Sequence, residues 1–139
     1  MIKIFLYIFV LFFLSTNLFA KSEFVKEGID LYNKNKFEDA KFKFEQDIVF
    51  NPKSEISYLY LSKIFNKQDK KNLEEKNLNT VILLNPLNED AIYSLAILKL
   101  RSSDYKKSRE LNKKLKSVCI KFCTKSNKLK IEIENLSKK

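Results

Sequence analysis

From Phe24 onward, apolar residues return every three or four positions: Phe24, Ile29, Leu31 and Tyr32, then Phe37, Ala40, Phe44 and Ile48. This is the spacing of one face of an α-helix, and strand-like alternation never persists. Proline interrupts the pattern twice, in Asn51-Pro52 and Asn85-Pro86, 34 residues apart. Each pair follows an apolar stretch and precedes a plausible helix start, at Ser54 or Asn88, with Glu55 or Glu89 next. Proline cannot continue the preceding helix, and an acidic residue suits the start of the following one. The pattern predicts helices near 22–34, 37–50, 54–67, 71–84, 88–101, 104–119 and 125–137. A period of this length predicts a stack of helical hairpins.

The first 20 residues, MIKIFLYIFVLFFLSTNLFA, follow another pattern. Lys3 gives a positive start, residues 4–14 are apolar without a break, Ser15-Thr16-Asn17 turn polar, and Ala20 ends the segment on a small residue. That order predicts a secretory signal peptide cut after Ala20, and a periplasmic location in a bacterium. The alternative is an inner-membrane anchor, since uncharged residues 4–20 would span roughly 26 Å as a helix against a ~30 Å hydrocarbon core.

A chain of 139 residues has room for one ordinary domain. It has no histidine and one glycine, Gly28, which excludes histidine-based acid–base or metal chemistry and a glycine-rich phosphate loop. No cofactor is expected. The acid pairs Glu74-Glu75, Glu89-Asp90 and Glu132/Glu134 read as helix termini or solvated faces, so catalysis is not expected either.

The net charge of +10 is unevenly placed: residues 21–98 carry 12 basic and 13 acidic residues, residues 99–139 carry 14 and 4. On the helix expected after Asp104, Lys106, Arg109, Lys113 and Lys116 fall at three- and four-residue steps and form one basic stripe. Such a stripe suits anionic lipid, surface polysaccharide or an acidic protein, or else is a solvated face. Nucleic acid is not expected, because only Tyr105 and Phe122 lie nearby for stacking.

Cys119 and Cys123 lie after the leader, where export would allow them to pair. On a continuous helix their Cβ atoms would stand about 5–6 Å apart, too far for a disulfide, so a bond requires the helix to break between them. A thiol–disulfide exchange role is the alternative. A metal site would be half-built with two thiolates and no histidine.

Residues 21–120 resemble three tetratricopeptide (TPR) repeats, at about 21–54, 55–88 and 89–122. In the first, Phe24, Gly28, Leu31-Tyr32, Phe37, Ala40, Phe44 and Pro52 stand at the characteristic positions. The second keeps Tyr58, Leu61, Ser62, Phe65, Leu78, Val81 and Pro86, but Lys71 and Glu74 replace the expected aromatic and alanine, which implies looser packing. The third keeps Ile92, Leu95, Ala96, Tyr105, Ser108 and Leu115, with Asn112 where a large apolar residue is expected and Ile120 where a closing proline would fall. A cystine around Ile120 would close that turn instead. Residues 123–139, with Leu129, Ile133 and Leu136 on one face, resemble the solvating helix that ends such arrays.

The resemblance implies an all-α, right-handed superhelical stack that acts as a non-catalytic scaffold. A protein or peptide partner would lie along a concave groove lined by the first helix of each hairpin. The groove candidates are Val25, Ile29 and Tyr32, then Leu59, Lys63 and Asn66, then Tyr93, Ile97, Leu100 and Arg101. Val25 and Ile29 stand where a clamp for a C-terminal carboxylate would need polar side chains, so that activity is not expected.

Overall fold

The computed structural model describes residues 23–138; the leader expected at residues 1–20 lies outside the described residues. Among the described residues there are seven helices and no strand: α1 (23–33), α2 (Phe37–Phe50), α3 (Glu55–Lys67), α4 (Lys71–Leu84), α5 (Glu89–Arg101), α6 (Tyr105–Val118) and α7 (Cys123–Leu136). Each lies within two residues of its expected span. The chain divides between Tyr60 and Leu61 into two compact units, with α3 crossing the division.

The first unit is built on the antiparallel pair α1/α2. Phe24 stacks on Phe50 at 5.7 Å, and Tyr32 meets Phe37 edge-on at 5.4 Å at the other end of the pair. Between them Gly28 lets the helices close: a Cβ at this position would stand 2.7 Å from Phe44 Cε1. Phe44 is fully buried and stacks on Tyr60 at 5.0 Å. Asp47 is also fully buried and accepts a hydrogen bond from Ser57 Oγ, which in turn accepts from Ser54 Oγ at 3.1 Å.

In the second unit α5 packs on α4 and α6, and α7 covers α6 and touches α5. The core is Leu61, Ile64 and Phe65 of α3, Leu78 and Val81 of α4, Ile92 and Leu95 of α5, Leu115 of α6, and Leu129 and Ile133 of α7. Glu74 stands in this packing at 2% exposure, where the resemblance leads one to expect alanine. Asn112 is buried too, and the reason is reciprocal bonding with α7: its Nδ2 donates to the Ser126 carbonyl at 3.0 Å and its Oδ1 accepts from Ser126 Oγ at 2.9 Å.

The 34-residue period is written in the backbone as well. The turns inside the hairpins each carry one residue in the left-handed region, Asn35, Asp69 and Ser103, at φ 58°, 52° and 61°. Each helix ends there with the same paired bonds, Asn35 N–H to Tyr32 O with Lys36 N–H to Leu31 O, and their equivalents one and two periods on. These are Schellman caps, in which a left-handed residue lets the last carbonyls find donors. Between hairpins, Asn51 and Asn85 close α2 and α4 on the carbonyls of Asp47 and Val81 at 2.7 and 2.8 Å.

The third such turn has no proline. Helix α6 stops at Val118, α7 starts at Cys123, and the break places Cys119 and Cys123 at disulfide-bonding distance with Cα atoms 5.3 Å apart. Helix α7 therefore starts at the second cysteine, two residues before the expected position. A loop this short gives about 2 kcal/mol on the chain-entropy estimate. Reduction is expected to lower the melting temperature by up to about 8 °C, at ~4 °C per kcal/mol. Protein isolated without reductant should weigh two hydrogens less than the dithiol. Free thiols, or unchanged melting after reduction, would contradict this.

Candidate functional site

The expected groove residues divide by environment. Val25 and Ile29 on α1, and Ile97 on α5, are half-buried apolar side chains. Tyr32 and Leu59 are half-buried as well, with Tyr32 also edge-on to Tyr60 at 5.2 Å. Tyr93 packs edge-on against Phe122 at 5.6 Å, and Lys125 Nζ lies 3.8 Å from the Phe122 ring centre and 5.2 Å from that of Tyr93. Tyr93 therefore helps hold α7 to α5. Leu100 corrects the expectation outright: at 6% exposure it is core, because it sits one residue before the helix end where α5 turns into α6.

The three polar groove candidates are engaged in pairs. Lys63 Nζ meets Asp90 at 2.6 Å, joining α3 to α5. Asn66 Nδ2 donates to Glu74 Oε1 at 2.8 Å, and Arg101 NH2 donates to both Glu74 oxygens at 3.1 and 2.9 Å. A buried carboxylate needs such donors, since an unpaired charge in the core is costly. Glu75 pairs with Lys99 at 2.6 Å. The acid pairs 74–75 and 89–90, expected at helix termini or on solvated faces, do stand at the starts of α4 and α5, with Glu74, Glu89 and Asp90 in the first turns, but they serve as structural contacts and not as solvated faces.

Glu89 does the work of the missing proline. Its carboxylate accepts from three consecutive backbone N–H groups of the α6–α7 turn: Ile120 at 2.9 Å, Lys121 at 3.0 Å and Phe122 at 2.7 Å. Desolvation raises its pKa, but the three backbone bonds and the Lys121 charge outweigh that and leave it lowered. A folded-state pKa below the unfolded one gives stability that is full above the unfolded value of about 4.3 and is lost as pH falls through the folded value. Glu89→Gln is therefore expected to shift the urea midpoint at neutral pH, with the gap to wild type closing in acid. A gap that does not change with pH would contradict the charge-based anchor.

The expected basic stripe also divides. Arg109, Lys113 and Lys116 line a cavity of about 340 Å³ between α6 and α7, while Lys106 stands outside it. From α7, Lys130 and Glu134 complete the rim, and buried Asn112 and Ile133 form the floor. Among the described residues, no group of three or more acids and cysteines is placed to hold a metal ion.

No family profile and no curated protein matches this chain. Solved structures do. The TPR2B-domain:pHsp70 complex of yeast Sti1 is 14% identical, covering 85% of this chain and 98% of that one, with a TM-score of 0.79. The Arabidopsis OM64 TPR domain is 16% identical, covering 88% and 98%, with a TM-score of 0.74. The Yersinia enterocolitica type III secretion chaperone SycD, in complex with a peptide of the translocator YopD, is 14% identical, covering 85% and 94%, with a TM-score of 0.75. The fold of this chain is that of TPR domains.

Proposed function

We propose that this protein is a non-catalytic interaction module of a bacterial cell envelope that holds a partner peptide or helix against the first helices of its hairpins. The observation that carries the reading is that such helices present half-buried apolar side chains within each unit, Val25 and Ile29 on α1 of the first and Ile97 on α5 of the second. Partly covered aliphatic side chains on a helix suit an amphipathic helix or an extended apolar peptide. Support comes from solved structures of the same fold, which include the Sti1 complex with pHsp70 and the SycD complex with a YopD peptide. The polar candidates Lys63, Asn66 and Arg101 hold the hairpins together, so recognition is mainly apolar.

The envelope location rests on the sequence of residues 1–20. Among the described residues no helix is long and apolar enough to cross a membrane.

Capture from envelope extract tests the reading. Wild-type protein, with its amino terminus at Lys21, is expected to retain a partner that Ile29→Asp and Ile97→Asp each lose by about tenfold, with helicity kept, since an unpaired carboxylate in an apolar contact costs more than 1 kcal/mol. Retention undiminished in both variants, or collapse of helicity in both, would sink the assignment. Retained Met1 would instead make residues 4–20 a membrane anchor.

A further inference from the structure

The charges of the second unit are spent unevenly. Where helices pack on one another, cations face acids: Lys63 with Asp90, Lys99 with Glu75, Arg101 with Glu74. At the α6/α7 cavity they do not. Among the described residues, Lys113 and Lys116 have no carboxylate within salt-bridge distance, and Arg109 has only the Ser137 hydroxyl, at 3.3 Å. The acid on this rim is Glu134, whose nearest cation is Lys130 at 3.8 Å.

Like charges three and four residues apart destabilise a helix by about 0.2–0.5 kcal/mol per pair. Arg109, Lys113 and Lys116 stand at such spacing, so the free protein carries a repulsion that an anionic ligand would relieve. The floor is different in kind. Ile133 is 1% exposed and the Asn112 amide is already satisfied by Ser126, so the bottom of the recess is closed with no spare donor, and its apolar walls are the aliphatic stems of Arg109, Lys113, Lys116 and Lys130. A volume of about 340 Å³ is small for a ligand pocket and admits one or two side chains. A flat anionic bilayer would reach the lysine tips and leave that recess unfilled.

We propose that the α6/α7 seam is a second docking site, which takes an acidic amphipathic segment of a partner protein. Carboxylates of the segment face Arg109, Lys113 and Lys116, and an apolar side chain enters the recess over Ile133. The site shares no residue with the α1 and α5 faces, so either can fail without the other.

The test uses a fluorescein-labelled peptide of glutamate with leucine at helical spacing, a scrambled peptide of the same composition, and vesicles of phosphatidylglycerol with phosphatidylcholine. The ordered peptide is expected to bind, more weakly as salt rises. Lys113→Glu/Lys116→Glu should weaken binding by at least about tenfold, in line with the loss of two close charge contacts. Lys106→Glu/Lys128→Glu makes the same change in net charge outside the cavity and should leave binding within about twofold. Equal loss in both pairs would mean a diffuse field and overturn the site, as would equal binding of the scrambled peptide. Binding to vesicles but not to peptide would make the occupant a membrane. Self-association abolished by Lys113→Glu/Lys116→Glu would make it a second copy of the chain. Both results overturn the proposal.

Discussion

Arg101→Ala is expected to destabilise the protein by about 3 kcal/mol, and Glu74→Ala to recover most of that loss. The Glu74 side chain is 3% exposed and takes two hydrogen bonds from Arg101. Removing one partner of a buried ion pair costs about 3–5 kcal/mol, because the other is left charged and dry. The lower end applies here, since the Arg101 side chain is 40% exposed and Asn66 still donates to Glu74. In the double variant Glu74→Ala/Arg101→Ala no charge is stranded, and alanine is what the TPR resemblance calls for at this position. Denaturant midpoints of the four proteins give the cycle. Additive losses in the double variant would show that the pair is not coupled.

The second large effect lies at the α1/α2 contact. Phe44→Ala is expected to cost about 3–5 kcal/mol, the usual figure for deleting a fully buried ring. Gly28→Ala should also destabilise, although alanine gains about 1 kcal/mol of helix propensity over glycine. The added Cβ would stand 2.7, 2.9 and 3.0 Å from three atoms of the Phe44 ring, which is itself stacked on Tyr60 and has little room to shift. Overpacking of this kind costs about 1–3 kcal/mol. With Phe44→Leu in place the clash goes, and Gly28→Ala should then be neutral or stabilising. A Gly28→Ala variant more stable than wild type would mean that the helices part freely at this point.

The features legible in the sequence are those carried by neighbouring residues. Helical spacing, the Asn-Pro turns and the break required between Cys119 and Cys123 are all local, and each helix fell within two residues of its expected span. The repeat pattern placed Gly28 and Phe44 at characteristic positions, and the structure showed that they face each other. What escaped is long-range pairing of charge. Glu74 and Arg101 are 27 residues apart, and Glu89 collects backbone donors 31 to 33 residues away. Nothing in the local sequence distinguishes those carboxylates from solvated ones. A 27-residue step shared by Lys63/Asp90 and Glu74/Arg101, and an acid opening the hairpin that ends in a turn without proline, were the available signals. Leu100 was misplaced because helical spacing gives a face, and the end of α5 turns that face inward.

The left-handed turn residues were readable and were missed. Asn35, Asp69 and Ser103 recur at the same 34-residue step as the Asn-Pro pairs. Asparagine and aspartate tolerate that region because their short polar side chains bond locally.

Which helices meet the partner is the centre of the proposed function, and site-specific photo-crosslinking reads it directly. A benzophenone side chain is placed in turn at Ile29 and Ile97, and at Phe42 of α2 and Leu83 of α4, which are 58% and 81% exposed. The proposed function predicts a partner adduct from Ile29 in the first unit and from Ile97 in the second, each read within its own unit, and none from Phe42 or Leu83. The same adduct formed from Phe42 or Leu83, with none from Ile29 and Ile97, would place the partner on the second helices and contradict it.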